Sequence, residues 1–287
     1  MKKITRTVIA TAFLGLTVSA SNVASASDNR LYFGIVPQQA ASRLAKMWGP
    51  FMNEISNQTG MAIQFATMKD IPSFEKCLAK GAYDISYMNP YHYTVFSKQS
   101  GYEAIAHQTE KKLKGLIVVR SDSDAMTLKD LQNQKVAFPS PAAFGASVLP
   151  RAEMRGQNID FEPIYVKSHD SVYKAVANKL MPAGGGVQRT FNSIPDDLKD
   201  QLKVIYRTNG YTPHAFAVKG DMDKKRKQAI QAAMIVISQE YPELLKNIGM
   251  KGIQSATNDT WNDVRDLGLS MADTNIEQQG EVKCRFD

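Results

Sequence analysis

The sequence predicts an α/β protein of two lobes, each a mostly parallel sheet flanked by helices, joined by a hinge of two chain crossings. Three observations lead there. Short apolar, β-prone runs alternate with helical stretches, the pattern of a sheet covered by helices. Near Ser121 that alternation begins afresh, as a second unit would. The chain has 287 residues, 43% hydrophobic and 22% charged, which suits a globular protein of one or two domains and excludes disordered or collagen-like classes.

The N-terminus reads as a secretory signal. Lys2, Lys3 and Arg6 form a basic start, residues 8–18 a short apolar run, and Ala24-Ser25-Ala26 a small-x-small cleavage site. Residues 1–26 are therefore expected to be removed near Ala26, and the mature protein to lie in the periplasm with no stable membrane insertion. Without them the formal charge falls from +7 to about +4, too little to argue for a nucleic-acid partner.

The mature elements follow in order. Residues 31–36 form a strand ending at Pro37-Gln38, and a helix follows with Leu44, Trp48, Phe51 and Ile55 on one face, stopping near Gly60. Residues 62–67 are a second strand and 72–80 a helix closed by Gly81. Residues 83–88 are a third strand, and Asn89-Pro90 opens another helix. Further strands fall at 103–107, 116–120, 136–138, 161–166, 202–206 and 214–218. Helices are expected at 127–131, after Ser140, at 170–179, 224–240, 242–248 and 261–271. The lobes are read as residues 29–117 plus 214–287, and 118–213.

Two cysteines, Cys77 and Cys284, lie 207 positions apart. They are too few for a zinc ribbon. An oxidising compartment permits a disulfide between them. The alternative is a thiol site for a soft ion or for redox sensing.

Four strand-to-helix junctions carry candidate binding groups. Tyr87, Asn89 and Tyr91 stand at one. Ser140, Ala142 and Ala143 stand at a second, where helix N–H groups and small residues suit an oxyanion. His169, preceded by Ser168, stands at a third and can donate to an anion. Gly184-Gly185-Gly186 and Arg189 form the fourth, with glycines for close backbone approach and a guanidinium for an oxyanion. His214 stands where the chain re-enters the first lobe. The glycine run lacks nucleotide P-loop spacing. No G-x-S-x-G elbow, H-E-x-x-H helix or His/Cys cluster appears, so neither enzyme chemistry, a metal nor a cofactor is expected.

Taken in order, the strand Phe33-Gly34-Ile35-Val36-Pro37, the run Tyr83-Asp84-Ile85 followed by Asn89-Pro90-Tyr91, the loop Phe138-Pro139-Ser140-Pro141-Ala142-Ala143 and Ser168-His169 resemble one family. It is the phosphate/phosphite/phosphonate-type periplasmic substrate-binding proteins of ABC transporters. The resemblance implies the type II periplasmic binding fold, closing on a small anionic ligand for delivery to a permease. It implies ligand contacts at Pro37, Gln38, Tyr91, Ser140, Ala142, Ala143 and His169. Phosphonate binders of this family carry Ser/Thr-rich helix starts where this chain has Pro141-Ala142-Ala143. They also place acids where an aminoalkyl group is held, where this chain has Gly184–Gly186 and Pro213-His214. A second reading makes the protein the ligand-sensing partner of a membrane receptor kinase or cyclase. A third, a periplasmic enzyme, lacks an identifiable nucleophile–base pair.

Overall fold

The computed structural model describes residue 1, residues 30–270 and residues 280–286. The signal-peptide reading therefore lies outside the described residues.

The first lobe begins with β1 (Arg30–Ile35), α1 (Ala41–Thr59), β2 (Ala62–Ala66), α2 (Ile71–Ala79), β3 (Ile85–Met88), α3 (Pro90–Gln99) and β4 (Tyr102–Gln108). Leu44, Trp48, Phe51, Met52 and Ile55 are the buried stripe of α1, and Gly60 ends that helix at φ 69°. A left-handed closing residue costs glycine little, because it has no Cβ. Asp70 and Asn89 cap α2 and α3 through their side chains, each with proline in the first turn.

The chain then crosses to the second lobe: β5 (Gly115–Arg120), β6 (Gln134–Phe138), α4 (Leu149–Gly156), β7 (Phe161–Tyr165), α5 (His169–Ala177), β8 (Ala183–Val187), α6 (Gln188–Asn192), α7 (Asp196–Lys199) and β9 (Leu202–Arg207). It returns as β10 (Ala215–Lys219), α8 (Lys224–Glu240), α9 (Pro242–Asn247), β11 (Ile253–Ser255) and α10 (Asn262–Arg265). The expected boundary between residues 117 and 118 runs through β5, all of which pairs in the second sheet.

The sheets have strand orders β11-β4-β10-β3-β1-β2 and β7-β6-β8-β5-β9. Each is mixed. Parallel pairing joins β2-β1-β3 and β7-β6-β8; β10, β4, β11, β5 and β9 pair antiparallel. The antiparallel pairs centre on β10, which returns between β3 and β4, and on β5, which lies between β8 and β9; β11 adds one more at the edge beside β4. The two crossings also pair with each other, Leu113 with Tyr211.

The glycine run 184–186 is the strand β8, and its glycines serve packing. A Cβ on Gly185 would meet the carbonyl oxygen of Ala146 at 1.9 Å, and one on Gly184 would meet Val172 at 2.4 Å. The opposing backbone is a π-helical turn, Phe144–Val148, which runs into α4. Ser140 was expected near this helix's N-cap. The cap residue is Ala143, without a side-chain hydrogen bond, and the Ser140 hydroxyl is buried with no partner among the described residues.

Cys77 and Cys284 form a disulfide, with Cα atoms 5.6 Å apart. It binds the segment 280–286 to α2, where Phe286 stacks on Tyr83 at 5.0 Å. The thiol-site alternative falls with it. Among the described residues no helix is long and apolar enough to cross a membrane, and no cluster of metal-ligating side chains occurs.

Candidate ligand cleft between the lobes

The lobes meet in a clasp of hydrogen bonds. The His169 amide donates to the carbonyl of Gln38 at 3.2 Å, and the Asn89 side chain donates to the carbonyl of Ala142 at 3.1 Å. Gln39 donates to the Ser193 hydroxyl at 2.7 Å, and Arg189 donates to the Gln38 side-chain oxygen. Apolar packing continues across the same seam: Ala142, Ala143, Phe144, Ala146 and Val187 belong to the hydrophobic cluster of the first lobe.

Inside the seam lies a cavity of about 10 Å³. That is room for about one water molecule. Val36, Gln38, Ile71 and Asn89 wall it from one side, with His214 from the start of β10. Ala143, Phe144, Gly145, Ala146, His169 and Val187 wall it from the other. The first turn of a helix leaves N–H groups without intrahelical acceptors, so the backbone at 144–146 brings donors to this wall. Both histidines are neutral here. Burial, then the nearby Arg189 charge, lowers the His169 pKa to about 3. The same two causes, with a smaller contribution from Lys111, hold His214 well below the usual histidine range. His169 shares a hydrogen bond with the Thr190 hydroxyl at 3.1 Å, and His214 with the Gln38 amide at 3.2 Å.

Beside it opens a larger cleft of about 190 Å³. Val187 and His214 wall both. Tyr87, Gln108, Leu113, Gln188 and Pro213 complete its neutral lining, and Lys111, Lys112, Lys114, Arg189 and Arg207 its charged lining. The Arg189 guanidinium lies 5.3 Å from the Tyr87 ring centre, and the His214 ring stacks on Tyr87 at 4.9 Å.

The structure thus gathers Gln38, Asn89, Ala143, His169 and His214 at the inner cavity, and Tyr87, Arg189 and again His214 at the outer cleft. Ala142 reaches the seam through its carbonyl. Four candidates stand elsewhere. Pro37 is buried in the loop before Gln38, and Ser140 lies outside both linings. The Tyr91 hydroxyl donates to the Ser270 carbonyl, at the C-terminal side of the lobe. Gly185 contacts the π turn. The sequence reading missed Val36, Ile71 and Gly145–Ala146, which carry no chemical signature. It also missed the cations at 111, 112, 114 and 207. The run Lys111-Lys112-Leu113-Lys114 was the one legible signal among them, a basic stretch shortly before the expected boundary at 117.

Two open α/β sheets facing one cleft across a double crossing define a binding protein of the type II periplasmic class. Residues 33–261 match the family described as ABC transporter, phosphonate, periplasmic substrate-binding protein, and the chain belongs to that family. Solved structures agree on the fold. A binding protein component of an ABC phosphonate transporter from Pseudomonas aeruginosa superposes with a TM-score of 0.77 at 17% identity, covering 83% of this chain and 85% of that one. PhnD1 from Prochlorococcus marinus, in complex with methylphosphonate, gives 0.77 at 15%, covering 84% and 97%. A Xanthomonas citri protein bound to ATP gives 0.66 at 15%, covering 88% and 100%.

Proposed function

We propose that this protein captures a small phosphorus oxyanion, phosphate- or phosphonate-like, between its lobes and delivers it to an ABC permease, without catalysing a reaction. The observation that carries the reading is the inner cavity. Both lobes build it, the turn residues 143–146 with Gln38, Asn89, His169 and His214 line it, and no carboxylate stands on its wall. Amide and imidazole donors in a site closed from water hold an oxyanion strongly, because low dielectric strengthens each hydrogen bond. At about one water's volume the cavity is smaller than a phosphoryl group, so both entry and occupancy require the lobes to stand further apart, turning about the paired crossings at Leu113 and Tyr211.

A histidine that meets an anion regains a reason to be protonated, so the bound anion itself would raise the pKa values of His169 and His214. Isothermal titration against phosphate, phosphite, methylphosphonate, sulfate and acetate tests the reading. Binding of a phosphorus oxyanion, and weaker or no binding of acetate, is the expected result. A folded protein that binds none of the phosphorus anions contradicts it.

A further inference from the structure

The two cavities differ in charge. The inner one has neutral walls, since its two histidines are neutral. The outer one is lined by five cations and no carboxylate. Lys112 meets Asp263 at 3.3 Å. Among the described residues, Lys111, Lys114, Arg189 and Arg207 have no carboxylate within ion-pair distance. Glu110 lines the adjoining hollow instead. Burial, then the nearby charges of Arg189 and Lys251, holds the Lys111 ammonium below its usual range.

Like charges gathered around one concavity repel one another, and a low-dielectric wall focuses their field. One phosphoryl group in the inner cavity is out of contact with most of them. Arg189 alone reaches the seam, through Gln38. The remaining cations surround space that begins where the inner cavity ends, at Val187 and His214.

Resting on the phosphorus-oxyanion reading above, we propose that the ligand is a two-headed anion. Its phosphoryl group sits in the inner cavity, and a second anionic group joined to it, phosphate or carboxylate, is held in the outer cleft by Arg189, Lys111, Lys114 and Arg207. A ligand with an ammonium at that end is repelled by the same four side chains.

Titration calorimetry of the full mature chain with pyrophosphate, phosphonoacetate, methylphosphonate and 2-aminoethylphosphonate tests this. Pyrophosphate or phosphonoacetate is expected to bind at least about tenfold tighter than methylphosphonate, the scale of one charge-assisted contact. The better of the two identifies the second group as phosphate or carboxylate. 2-Aminoethylphosphonate is expected to bind more weakly than methylphosphonate. The double variant Lys114→Ala/Arg207→Ala is expected to bring the preference close to one. Raising the salt from about 0.05 M to about 0.5 M is expected to shrink it in the wild-type chain, which needs no variant to fold. Methylphosphonate binding as tightly as both two-headed anions, or 2-aminoethylphosphonate binding tightest, overturns the proposal and leaves the proposed function standing. If none of the four binds to folded protein, this proposal falls, and the proposed function falls with it only when phosphate and phosphite fail to bind as well.

Discussion

His169 and His214 are buried as neutral imidazoles beside a guanidinium, and that arrangement fixes how stability responds to acid. The unfolded chain protonates His169 near pH 6.5, whereas the folded chain resists until about pH 3. Between those values the unfolded state holds the extra proton. The stabilisation is therefore complete above pH 6.5 and is lost as pH falls toward 3, by up to about 1.4 kcal/mol per pH unit for this residue. Melting temperatures measured from pH 7 to pH 4 should fall, and His169→Gln should give the shallower slope. Equal slopes would show that this histidine is not neutral in the folded state. Arg189 is the other decisive residue, because it touches Gln38 across the seam and stands over Tyr87. Arg189→Ala should weaken anion binding by about ten- to a hundredfold in calorimetry, the cost of one charged hydrogen-bonding group. An unchanged affinity would remove it from the site.

At the scale of elements, β8 shows why glycine-rich sequence misleads. Its glycines read as an approach for ligand, yet they admit the π turn on one face and α5 on the other. Gly185→Ala should destabilise by about 1–3 kcal/mol, as overpacking does, because the blocking atom is a backbone carbonyl that no rotamer change can move. A denaturation midpoint equal to wild type would mean the turn has room to retreat. The C-terminal segment is held to α2 by the Cys77–Cys284 disulfide and by Lys76 and Lys80, which donate to the carbonyls of Gly280 and Val282 at 3.1 Å each. Closing a 207-residue separation is worth up to about 5 kcal/mol in the chain-entropy model. The double variant Cys77→Ser/Cys284→Ser should lose about 2–5 kcal/mol in urea unfolding. Loss of less than about 1 kcal/mol would make the bond incidental.

Most elements were legible because local rules set them. The periodic stripe of α1, the residues Asn89 and Ser168 ahead of their helices, and the β-prone strand runs each carry their signal in a few neighbouring residues. What escaped depends on distant partners. The short β11 exists because β4 offers it an edge. The Phe144–Val148 turn is π-helical where glycines of β5 and β8 make way for it.

For the whole molecule the same division holds. The junction residues Gln38, Asn89, Ala143, His169, Arg189 and His214 were readable, since strand ends that face a cleft must bring their first helical residues to it. The basic outer cleft was harder. Its cations come from the first crossing, from α6 and from the end of β9, and only the fold sets them side by side. The lobes share one apolar seam and are joined by two paired crossings, the geometry on which the proposed opening and closing rests.

A crystal structure of the protein grown with a phosphorus oxyanion would place the ligand directly. Phosphorus density is expected between the backbone at 144–146 and the rings of His169 and His214, touched by both lobes. Density confined to one lobe's outer surface, with the seam unchanged, would contradict it.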